Sequence, residues 1–373
     1  MINNEQYGCI FQSIDLDQLN NEIEINSKKD TNEMKMYKKV KHVDFFLQNE
    51  IKILNTLNYN HSIFEKDHYS KFLNTFSSFT PVKRSGLGDG SGSGSGSKLN
   101  KLSYALFHYN SQHMKFPTLM GHIYSIKSPR LFCLSLINTF KSSLNAFAYL
   151  KINDLVHLGM SNEMLTVTDT EEILIGNVGC MQLIKDLYEP DKMAKLIIHS
   201  IDELSVKEKE KEKLQIFIYP IEHMLLTFLH MNNLNSISTY NIDIIVSSFI
   251  KQNSVLNKVS EAFCKDYQQH CVVVLERYVN MSKALILENI LKVWQTWNLF
   301  SLSMIYLNII LNIFNEGRCK VGFFYKWMKL LLLNTHPDYN KRKSIEDNIM
   351  LFSKLCYNNT MDEFAPVLND LSK

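Results

Sequence analysis

The chain has 373 residues, 45% of them apolar and 21% charged, enough to bury one large core or two modest ones. Its 40 basic and 38 acidic residues leave a net charge of +2, so there is no basic surplus of the kind that nucleic acid would require. The seven cysteines are scattered without a C-x-x-C pair, and read as reduced thiols of a cytoplasmic protein rather than as a disulfide framework or zinc site.

In chain order, "MINNEQYGCIFQSIDLD" has no basic region leading into an apolar core, so no secretory signal is expected. "YGCIFQSI" and "MKMYKKVKHV" have strand-like composition. In "VDFFLQNEIKILNTL" the spacing of Phe46, Leu47, Ile51 and Leu54 predicts an amphipathic helix. "SGLGDGSGSGSGS", residues 85–97, has nothing to bury and predicts a flexible linker; its regularity is that of an introduced spacer, a natural low-complexity insert being the alternative. "LSYALFHYN" and "TLMGHIYSI" read as two further strands. Leu136, Phe140, Leu144 and Phe147 then form one stripe of a helix. "SVKEKEKEKLQ", starting at Ser205, reads as a solvated loop or helix start. Cys264, with His270 and Cys271, has a spacing that fits no zinc template, which favours buried thiols. The apolar run from Leu299 to Phe314 is short for a membrane span and carries Asn308 and Asn312, so it predicts a buried central helix and no membrane role. A β-rich first part and a helical second part predict an α+β protein.

The order and content of these segments resemble the protein kinase superfamily over nearly the whole chain. "YGCIF" resembles the end of the glycine-rich loop, of which only Gly8 survives, with Asn3 and Glu5 at the other two glycine positions. "KMYKKV" is similar to the V-A-I-K strand and places Lys38 at the phosphate-binding lysine; "FLQNEIKIL" places Glu50 at its carboxylate partner. "LVHLGMSNEML" resembles "IVHRDIKPENIL", "ILIGNVG" resembles the D-F-G segment, and "WNLFSLS" resembles "WDVYSLG". "HPDYNKRKSIEDNI" is similar to "HPDPNKRPSIEEI" and is the most specific match; it makes Arg342 the buried arginine that pairs with the A-P-E glutamate, here Glu222 of "YPIEH". The resemblance implies a bilobal fold, with an N-lobe over residues 1–127 and a helical C-lobe over 128–373. Glu222 and Asn298 lie much further apart than in kinases, which implies an insertion over about residues 223–293, expected to be helical and similar in position to insertions in kinase-like proteins of large DNA viruses.

Kinase chemistry is positioning plus electrostatics, and this chain has lost the groups that supply it. His157 is kept, but Leu158 replaces the arginine, Gly159 the catalytic aspartate, Met164 the metal-binding asparagine and Asn177 the magnesium carboxylate. A thioether suits magnesium poorly, and an amide brings no charge. Asp154, Glu163 and Asp169 flank the loop, but none matches a catalytic or metal position. Lys38, Glu50 and Gly8 remain as remnants of a nucleotide cleft, with ATP binding expected to be weak or absent and no metal or cofactor expected. The resemblance therefore implies a pseudokinase that acts as a scaffold or allosteric partner of another protein. The alternatives are a structural part of a larger assembly such as a virion, and a divergent active kinase with a rescued metal site.

Overall fold

A computed structural model describes residues 36–42, 45–61, 72–73, 76–82, 104–110, 116–208, 218–313 and 322–358. Gly8, the strand expected at "YGCIFQSI" and the linker at 85–97 lie outside the described residues. The first described part is a three-stranded antiparallel sheet of β1 (Met36–His42), β2 (Phe76–Val82) and β3 (Tyr104–Asn110), in the order β1-β3-β2. Pro81 has no N–H to give a ladder and sits in β2, an edge strand where that loss is tolerated. Helix α1 (Phe45–His61) follows β1 and buries Ile53, Leu54 and Leu57, one turn's spacing on a single face.

The stretch "TLMGHIYSI" is helical, not the expected strand. Its β-branched and aromatic residues gave it strand composition, but Thr118 accepts a hydrogen bond from the Gly121 N–H at 3.2 Å and caps α2 (Leu119–Ser125), which buries Leu119 and Ile123 four residues apart. Helix α3 (Pro129–Ile152) starts with proline at its first turn, where the missing N–H costs nothing. Its expected stripe of Leu136, Phe140, Leu144 and Phe147 is buried.

Four short strands come next: β4 (Leu155–His157), β5 (Leu165–Val167), β6 (Ile173–Ile175) and β7 (Met181–Leu183). They pair antiparallel as β4–β7 and β5–β6. Helix α4 (Pro190–Glu208) takes in the start of "SVKEKEKEKLQ", and the remainder of that charged run lies outside the described residues. The chain resumes in α5 (Ile221–Met231), α6 (Thr239–Gln252), α7 (Ser254–Asn257), α8 (Glu261–Glu276) and α9 (Lys283–Leu291), so the segment expected as a helical insertion is largely helical. Helices α10 (Trp297–Ile313), α11 (Gly322–Asn334) and α12 (Ile345–Asn358) close the described chain.

Helix α10 is the axis of the core. With the turn that precedes it, it forms a 20-residue helical stretch, Trp294–Ile313, long and apolar enough to cross a membrane, but every residue from Trp297 to Ile310 is buried by protein. Two of its three asparagines, Asn308 and Asn312, are answered from the segment expected as an insertion, where Lys258 Nζ donates to Asn308 Oδ1 and to Asn312 Oδ1, both at 2.9 Å. Phe140 of α3 meets Tyr306 of α10, Trp327 of α11 and Phe352 of α12 at centroid distances of 4.8, 5.0 and 4.7 Å, the tilted geometries that aromatic quadrupoles favour. Asn334 and Asn348 exchange side-chain hydrogen bonds at 2.7 and 3.1 Å and are satisfied by Ser303 Oγ and the Ser344 carbonyl, so burying two amides leaves no donor bare. The architecture is α+β, with small antiparallel sheets and a predominantly helical second part.

Candidate functional site

The loop after β4 is packed from both sides. His157 is buried; its Nε2 lies 3.1 Å from the Gly176 carbonyl, and its Nδ1 accepts the Gly159 N–H at 3.2 Å. Those roles require the neutral ring with its proton on Nε2. Burial agrees, holding the imidazole down at about 4, below its ordinary range. The backbone N–H of His157 donates to Asn298 Oδ1 at 2.9 Å, and Asn298 Nδ2 donates back to the Leu155 carbonyl at 3.3 Å. Only an amide can perform both roles; a carboxylate would leave the Leu155 carbonyl without that donor.

A side chain at Gly159 would be crowded. A Cβ there would lie 3.0 Å from Cys180 Sγ, 3.1 Å from Cys180 Cβ and 3.2 Å from Ser200 Cβ. Ser200 belongs to α4, and its hydroxyl is turned back to the Leu196 carbonyl at 2.8 Å. Leu158 and Met160 on either side are fully buried. Asn177 sits in the left-handed region (φ 53°, ψ 47°), with Nδ2 donating to Cys180 Sγ at 3.0 Å. Met164 is half-buried, and its carbonyl accepts the Gly176 N–H at 2.7 Å. The fold therefore brings His157, Gly159, Met164 and Asn177 into one network through Gly176 and Cys180.

Helix α1 closes the next face. Asn49 Nδ2 donates to the carbonyls of Gly179 and Met181, at 2.9 and 2.5 Å, and Lys52 Nζ meets Asp186 Oδ2 at 2.6 Å. Gly179 makes this approach possible, since a Cβ there would fall 2.6 Å from the Phe46 carbonyl oxygen. Glu50 is half-buried on α1, and Lys38 lies in β1 opposite His108; the expected pairing of the two falls outside the described side chains.

Glu222 and Arg342 meet deep in the second part of the fold. Arg342 Nη2 lies 3.0 Å from Glu222 Oε1 and donates to Oε2 at 3.1 Å, with both side chains essentially solvent-free. The remaining donors of the guanidinium reach the His336 carbonyl at 2.7 Å and Thr296 Oγ1 at 3.2 Å, and Nη2 also reaches the Pro337 carbonyl at 3.2 Å. These contacts help to offset the desolvation of a buried pair, although Glu222 Oε1 accepts no hydrogen bond among the described residues. His223, beside it, is buried with neither ring nitrogen hydrogen-bonded among the described residues, and burial together with the Arg342 charge holds it down at about 3.

Asp154, Glu163 and Asp169 are all exposed, outside this packed network. A divalent metal does not suit what lies inside it: a thioether at 164, an amide at 177 committed to a thiol, and no side chain at 159. Among the described residues no group of three or more His, Cys, Asp or Glu side chains could hold a metal ion. Sequence reasoning missed Asn49, Lys52, Cys180, Ser200 and the double role of Asn298, because each acts through a partner far away in the chain. The one available signal was Asn298, an amide where the resembling segment has an acid. No protein-family model matches the chain, and no curated protein matches it.

Proposed function

We propose that the chain is a catalytically inactive protein of bilobal, protein kinase-like organisation that acts by binding another protein. The observation carrying this reading is the bed of Gly159: the position that corresponds to the catalytic aspartate is filled by Cys180 and by Ser200 of α4. The carboxylate is absent, and Cys180 and Ser200 crowd the position where one would stand. The order of elements supports the bilobal part of the reading, with a small sheet and α1 followed by a helical body. The buried Glu222–Arg342 pair supports the relation to kinases, since the resemblance named those two residues as partners.

Without a metal site, nucleotide affinity should be poor. A ligand that binds only the folded state raises the melting temperature by mass action, by the equivalent of about 3 kcal/mol at a hundredfold excess over Kd. Thermal melts of the purified chain with ATP, with and without magnesium, should therefore coincide with the ligand-free melt. A magnesium-dependent rise would overturn the inactive reading, and the exposed Glu163 would be the first residue to replace.

A further inference from the structure

Helix α4 is amphipathic and lies over the loop. Met193, Ala194, Leu196, Ile197 and Ser200 are buried beneath it, whereas Lys192, Lys195 and His199 are exposed. At its first turn Asp191 Oδ1 accepts two hydrogen bonds, from Lys283 Nζ and from His230 Nδ1, both at 2.8 Å. Lys283 opens α9 and His230 lies in the last turn of α5, so both partners come from the segment expected as the insertion. These two contacts hold the Asp191 carboxyl down at about 2, Lys283 contributing more than His230. Asp191 is about half exposed and Lys283 only 14%, so the clasp sits at the protein surface with one arm sheltered.

We propose that α4 is a latched lid over the Leu158–Ser161 loop, with Asp191 as the latch and the Lys283–His230 pair of the inserted helices as its keeper. The inserted helices then act on the site at a distance, because whatever pulls α9 or α5 away from Asp191 frees the helix that seals Gly159 and Cys180. This inference rests on the packing of α4 and holds whether or not the kinase reading does.

Cys180 reports the state of the lid. Its side chain is buried, in contact with the loop that α4 covers, while Cys271 is equally buried on α8, a helix that carries neither the latch nor its keeper. The rate of maleimide labelling at each cysteine, read by peptide mass spectrometry on the intact folded chain, separates local from global opening. Asp191→Asn and Lys283→Met should each speed labelling of Cys180 by about two- to fivefold, as expected for surface ion-pair contacts, with the rate at Cys271 as in the wild type. An unchanged rate at Cys180 in both variants would overturn the proposal. So would a parallel rise at Cys271, which would mean that the whole fold opens together.

Discussion

Gly159 and Cys180 are a fitted pair. No positive φ reserves position 159 for glycine, so the crowding of a side chain there is spatial, set by Cys180 and Ser200 at 3.0 to 3.2 Å. Gly159→Ala should cost about 1–3 kcal/mol, the range for overfilling a packed interior. Cys180→Ala removes the nearest atom, so the double variant should be more stable than the sum of the two single changes by at least about 0.5 kcal/mol, measured by denaturant unfolding. Strict additivity would mean that Cys180 does not limit the space. Gly159→Asp should destabilise further, through an added buried carboxylate, and should confer no phosphate transfer to a generic protein substrate. The residues at 157–164 and 177 drew attention in the sequence through their resemblance to a kinase loop. The packing of Cys180 and Ser200 against Gly159 was not legible, because both are distant in sequence and small side chains carry no pattern.

Among the elements, α1 and α4 decide how closed the site is. Helix α1 was legible from its apolar spacing, and α10 from its continuous hydrophobicity, since both signals are local. The α2 segment was misread because composition favours a strand while a single cap, Thr118, favours a helix turn. Docking of α1 on the loop could not be read from sequence, since it depends on the closeness of the Phe46 carbonyl to Gly179. Gly179→Ala places a methyl group 2.6 Å from that oxygen, a separation at which backbone must move. The expected outcome is faster amide hydrogen exchange over the described part of α1, as the Asn49 and Lys52 contacts are pulled out of reach, with α10 exchanging as before. Equal protection of α1 in the variant and the wild type would show that its docking does not depend on this approach.

Across the whole molecule, the buried histidines bind stability to pH. His157 is held at about 4 and His223 at about 3, both mainly by burial, while the unfolded chain titrates near the ordinary 6.5. Below 6.5 the unfolded state therefore binds protons that the native state refuses, and stability falls as pH falls. His336, also lowered chiefly by burial, adds in the same direction. The acids Asp191, Asp338 and Glu346 are also lowered, but their stabilisation is present above the ordinary carboxylate range and is lost only below it. The interval from pH 7.5 to 5.5 thus isolates the histidines. Over it, His157 and His223 together should withdraw about 2 to 3 kcal/mol, read as a falling denaturation midpoint. His223→Phe should flatten the slope by roughly half, since the Trp297 edge contact at 4.6 Å can be kept by another ring and no hydrogen bond among the described residues is lost. A midpoint constant across that interval would show that both imidazoles reach water, and would remove the ground for treating His157 as a fixed neutral strut between Gly176 and Gly159.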